Sequence, residues 1–97
     1  MLHRALRLIR IFHDLTQKEL AERLEISKSY LSEIESGKKT PSLEIINSYS
    51  EQFNIPVSSI MFFSESMDDS SKTEQLRKVL SGKVLAILDF IAAKSEE

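Results

Sequence analysis

A chain of 97 residues that is 41% hydrophobic and 29% charged suits one globular domain with a short appendage. It holds no cysteine, which excludes disulfides and thiolate metal sites and fits a reducing cytoplasm. The formal net charge of −2 argues against binding nucleic acid through bulk charge, yet the balance is uneven: residues 1–63 carry eight Lys or Arg against eight Asp or Glu, and residues 64–97 carry five against seven.

Only two Gly and two Pro occur, and both Pro stand where helices should begin, so an all-α protein is expected. Residues 1–12 mix apolar and basic side chains without the apolar core or cleavage site of a signal peptide. No apolar run approaches the roughly 20 residues that cross a bilayer. A cytoplasmic protein with no membrane contact is the expectation.

The first helix is predicted over residues 3–13, with Leu2, Leu6, Ile9 and Leu8 or Phe12 inward and Arg4, Arg7 and Arg10 near water. A second runs over 17–24 and a third over 28–35. Gly37 stops the third in the left-handed conformation. Residues 38–41 form a short basic loop. A fourth helix begins near Ser42 and reaches Phe53, burying Leu43, Ile46, Tyr49 and Phe53, and Asn54 ends it. Pro56 opens a short fifth helix anchored by Val57, Ile60, Met61 and Phe62 or Phe63. Residues 64–72, acidic and with Met67 alone suited to a core, read as a linker. Ser71 and Glu74 form a capping box for a last helix over 73–94, which Gly82 can kink or split.

The densest information lies in residues 16–35, TQKELAERLEISKSYLSEIE. Leu20, Ala21 and Leu24 make one inward stripe, Leu31 and Ile34 make another, and Ile26 plugs the turn between them. Thr16 caps the first of these helices with Glu19 completing a capping box, and Ser27 caps the second. The second helix then opens Lys28-Ser29-Tyr30, polar and exposed. This is the plan of a helix-turn-helix, whose second helix enters the DNA major groove and reads base edges from its N-terminal residues.

From Leu6 to Phe63 the chain resembles the lambda repressor-like, Xre-type helix-turn-helix domains of phage and bacterial regulators. The resemblance is carried by Arg10, Leu15-Thr16-Gln17, Glu19-Leu20-Ala21, Ser27-Lys28-Ser29-Tyr30-Leu31, Ile34-Glu35-Ser36-Gly37-Lys38, Pro41-Ser42-Leu43 and Phe53-Asn54-Ile55. It covers about two thirds of the chain and implies a five-helix DNA-binding domain, here with an additional C-terminal helix. It also implies that Arg10 and Glu35 form a structural ion pair between the first helix and the end of the third. The family places Gly in the turn where this chain has Glu25. A non-Gly residue with positive φ costs on the order of 1 kcal/mol, so the turn either carries that strain or departs in geometry.

Within this frame Lys28, Ser29, Ser32 and Glu33 are the candidate base contacts. Lys can donate to guanine, Ser can serve either base edge and Glu can accept from cytosine, although such residues ordinarily make a solvated helix face. Tyr30 can stack on a sugar, a phosphate or a thymine methyl, or lean on its own domain. Gln17, Ser27, Ser36, Lys38, Lys39 and Thr40 are the candidate backbone contacts, each with an ordinary reading as a cap, helix starter or basic turn.

His3 and His13 lie at no metal-ligand spacing, no base is placed to activate a serine, and Asp68-Asp69 reads as a solvated pair. No enzyme, metal site or cofactor is therefore expected. The function implied is a sequence-specific DNA-binding transcriptional regulator of repressor type, binding a near-palindromic operator as a homodimer. The C-terminal helix, through Leu80, Val84, Ile87, Leu88 and Ile91, is the expected dimer contact, with folding back on its own domain as the alternative. The second function class is an antitoxin-like or adaptor protein whose C-terminal helix binds another protein.

Overall fold

The computed structural model describes residues 2–66 and 82–95. These form six helices and no strand: α1 Leu2–Phe12, α2 Gln17–Leu24, α3 Lys28–Glu35, α4 Leu43–Phe53, α5 Val57–Ser66 and α6 Gly82–Ser95. The chain is all-α, as expected. The end of the expected linker, the Ser71–Glu74 capping box, Met67, Leu80 and the start of the expected last helix lie outside the described residues. The linker's first three residues do not: α5 runs through Ser66, its later turns held by fully buried Phe63.

α1 packs on α3, α5 and α6, while α2 packs on α3 and α4. Leu6, Ile9, Leu20, Leu31, Ile34 and Tyr49 are fully buried and fill the space between them. Ser27 and Ser42 cap α3 and α4, their hydroxyls accepting from Tyr30 N–H at 3.0 Å and Ile45 N–H at 3.2 Å.

Three helices reverse by one device. Asp14, Glu25 and Asn54 adopt the left-handed conformation, with φ of 56°, 59° and 54°. The apolar residue that follows, Leu15, Ile26 or Ile55, donates its N–H to the carbonyl of Arg10, Ala21 or Ser50, at 3.3, 3.0 and 3.1 Å. This is the Schellman arrangement, which satisfies carbonyls left open at a helix end and tucks an apolar side chain beneath it. Glu25 therefore does take the conformation that favours glycine and carries its strain.

Two expected core residues turn outward. Leu43 is 68% exposed and Met61 43% exposed. Ile45, Ile46, Tyr49 and Phe53 define the buried stripe of α4, and Leu43 lies well off it at about 100° per residue; Met61 sits one step round from buried Ile60. Arg10 departs the other way, its side chain only 12% exposed.

α6 folds back on its own domain. Val84, Ile87, Leu88 and Ile91 are all buried among α1 and α5, and Phe90 meets Phe12 edge-on at 5.3 Å. Of the two expectations for this helix, these four side chains follow the alternative, folding back on their own domain. Their apolar surface is spent within the chain, where a continuous core offers them partners. No described helix is long and apolar enough to cross a membrane.

Candidate nucleic-acid interface

The start of α2 is locked before anything else. Thr16 Oγ1 accepts from Glu19 N–H at 3.1 Å, and Thr16 N–H donates back to Glu19 Oε1 at 3.0 Å. The Thr16 backbone donor, its hydroxyl and then Arg23 hold the Glu19 carboxyl below its ordinary 4.5.

α3 is positioned from beneath by Leu31 and Ile34, both fully buried, and by Glu35, 5% exposed. Arg10 Nε and Nη2 donate to the two Glu35 oxygens at 2.9 and 3.0 Å, and Gln17 Nε2 donates to Oε1 at 3.1 Å. Arg10 Nη1 donates to Leu15 O at 2.8 Å. One carboxylate thus ties α1, the α1–α2 turn, the head of α2 and the end of α3 together. Gln17 belongs to this junction, which its position in the sequence does not announce. Its amide was expected on a phosphate, but one of its donors is committed to Glu35.

Tyr49 lies in the core near this junction with its hydroxyl buried and, among the described residues, without a partner. Burial, then the nearby Glu35 charge, pushes its phenol well above the ordinary 10. His13 Nδ1 stands 2.7 Å from Ile9 O, and its ring stacks near Phe53 at 4.4 Å; both contacts belong to packing.

On the outer side, Gln17, Lys28, Ser29, Ser32 and Glu33 line one open depression of about 310 Å³. It runs from the head of α2 along the outward face of α3. The four α3 residues are the candidate base contacts, and the structure gathers them on a single surface. Ser27, Ser36, Lys38 and Thr40 are exposed at the two ends of α3 and in the loop that follows it.

Lys39 is placed differently from expectation. Its Nζ lies 3.5 Å from Glu33 Oε2 and 5.6 Å from the Tyr30 ring centre, and its N–H donates to Glu33 O at 3.2 Å. The basic loop is thereby drawn back against α3, and Tyr30 leans half-buried on the core. These links join residues six and nine apart through a turn, and helical periodicity carries no signal for them. Two acidic residues, Glu25 and Glu51, line a separate depression with Arg23, Leu24, Ser48 and Gln52. With Glu35 buried beneath α3 and Glu33 paired with Lys39, the outward face of α3 is less acidic than the composition suggests. Among the described residues no group of three or more acidic or histidine side chains is placed to hold a metal.

Comparison with known proteins identifies the family of this fold. The helix-turn-helix family model matches residues 6–60. The HTH-type transcriptional activator BcrR of Enterococcus faecalis is 29% identical over 86 residues, which cover 87% of this chain and 42% of the activator. An uncharacterised HTH-type transcriptional regulator of Methanocaldococcus jannaschii is 32% identical over 60 residues, covering 62% of this chain and 91% of that protein. The chain thus spans about two fifths of the length of the first relative and matches most of the second. No solved structure matches.

Proposed function

The chain belongs to the helix-turn-helix family, and from that premise we propose that it is a sequence-specific DNA-binding transcriptional regulator that reads its site with α3. The observation that carries this reading is the open depression in which Lys28, Ser29, Ser32 and Glu33 stand together beside the head of α2. Lys28 and Ser29 lead the helix into the major groove and supply donors to base edges, with Ser32 and Glu33 one turn behind. Gln17 and Ser27 meet the phosphates on one side of the groove, and Ser36, Lys38 and Thr40 meet those on the other.

One α3 offers few base contacts, so operator affinity calls for two copies on a near-palindrome with half-sites about one helical turn apart. Residues 1–63 are the DNA-binding unit in this reading. Because Val84, Ile87, Leu88 and Ile91 are spent internally, the dimer contact uses other surface. The reading is of a repressor, which needs only occupancy of its site; the Enterococcus faecalis relative bears the name of an activator.

Selection of bound sequences from a random duplex pool tests the proposal. A recovered motif with two inverted half-sites is the expected result. Recovery of no motif would overturn sequence-specific reading, and a single unsymmetrical motif would overturn the dimer. A promoter reporter then fixes the sign of regulation, with lower output on expression expected.

A further inference from the structure

We infer that Arg7 is a phosphate-binding residue that extends the footprint on DNA past the end of α3, along the flank formed by α1. This inference rests on the DNA-binding reading above.

His3, Arg7 and Arg10 stand at i, i+4 and i+7, so they line one side of α1. That side is pinned at both ends to the close of α3. At one end Arg10 grips both oxygens of Glu35. At the other, the His3 ring lies 3.4 Å from the point a Cβ would occupy on Gly37. Arg7 falls between the pins on α1 as Ser36 falls between Glu35 and Gly37 on the facing stretch, and unlike Arg10 it is exposed. Ser36 is itself exposed and continues the outward line of Lys28 and Ser32 by one more turn. Arg7 therefore sits at the rim where the reading face ends.

Its charge is uncommitted. Glu35 is already satisfied by Arg10 and Gln17, and among the described residues Arg7 has no ion-pair partner. A guanidinium presents a planar fork that matches a phosphate bidentately. In residues 1–63, whose formal charge is balanced, a free cation at this rim is where a strand leaving the groove meets attraction.

The test uses the full chain, one duplex recovered by selection and a scrambled duplex of equal length, with affinity measured between 50 and 200 mM salt. Arg7→Ala is expected to weaken both duplexes alike and to make the log–log salt slope shallower by about one. Arg4→Ala removes the same charge from α1 about a third of a turn round the helix from Arg10, and should change the slope by less than Arg7→Ala does. An unchanged slope for Arg7→Ala, an equal change for Arg4→Ala, or a loss confined to the selected duplex would each overturn the assignment. If the unaltered chain binds neither duplex, the DNA-binding reading falls, and the Arg7 inference with it. An unchanged melting temperature for Arg7→Ala confirms that the comparison is made on folded protein.

Discussion

Glu33 and Glu35 stand two positions apart on the same helix, and each meets a cation, but in opposite settings. Glu35 is sealed beneath α3 with Arg10 on both its oxygens and Gln17 on one. Glu33 stands at the surface with Lys39 at 3.5 Å, the two side chains 38% and 55% exposed. The difference separates two jobs that one helix performs. The inner pair decides where α3 points, and the outer pair decides what charge α3 shows.

Breaking the inner pair should have the largest effect. Arg10→Ala strands a buried carboxylate and is expected to cost about 3–5 kcal/mol, read by urea or thermal unfolding. Replacing both partners together, as Arg10→Met with Glu35→Leu, should recover most of that loss, since a buried pair removed whole is near neutral. A single variant as stable as the parent would show that the junction is not what holds α3.

On the outward face the expected change is in recognition. Lys28→Ala should relax preference at one base position by about 1–3 kcal/mol in competition binding while leaving stability unchanged. Equal weakening on all sequences would instead place Lys28 on phosphate. Between these regions lies the turn: Glu25→Gly should relieve a left-handed non-glycine residue and gain up to about 1 kcal/mol, a rise of several degrees in melting temperature for a domain this size. No gain would mean that the turn is not strained.

The outer pair itself should matter little to folding. Glu33→Ala is expected to change stability by no more than about 0.5 kcal/mol, yet to release Lys39 and steepen the salt slope of DNA binding by about one. A large stability loss would erase the contrast between the two carboxylates. The smallest effect is at the α2 cap. The Glu19 carboxyl is held below its ordinary 4.5 in the folded state, so its contribution is present above that pH and fades as acid takes the group through its folded value. Glu19→Gln should flatten the dependence of melting temperature on pH below about 4.5.

The helices were legible because their signals are local. Leu20, Ala21 and Leu24 repeat at the helical period, and Thr16, Ser27 and Ser42 announce starts that the structure places there. The gathering of Lys28, Ser29, Ser32 and Glu33 was legible for the same reason, since one helix face is fixed by spacing. What was missed depends on distance in the chain. That Gln17 joins Glu35 and that Lys39 returns to Glu33 follow from how helices and loops pack, which no window of sequence contains. Leu43 and Met61 failed because apolar character alone does not say which side of a short helix meets a neighbour. The apolar excess of α6 points to a dimer contact in the sequence, but composition alone does not say whether a second copy or the chain's own core covers it.

The sealed Tyr49 hydroxyl has an optical consequence. The chain has two tyrosines and no tryptophan, so its near-ultraviolet signal is phenolic. Tyr49 resists ionisation while it is enclosed, and the unfolded chain titrates near its ordinary 10. Folding stability is therefore undiminished by this group below that pH and erodes as alkali is added. Phenolate absorbance from Tyr49 should thus rise only as the native enclosure opens, giving the protein a built-in spectroscopic reporter of its own unfolding.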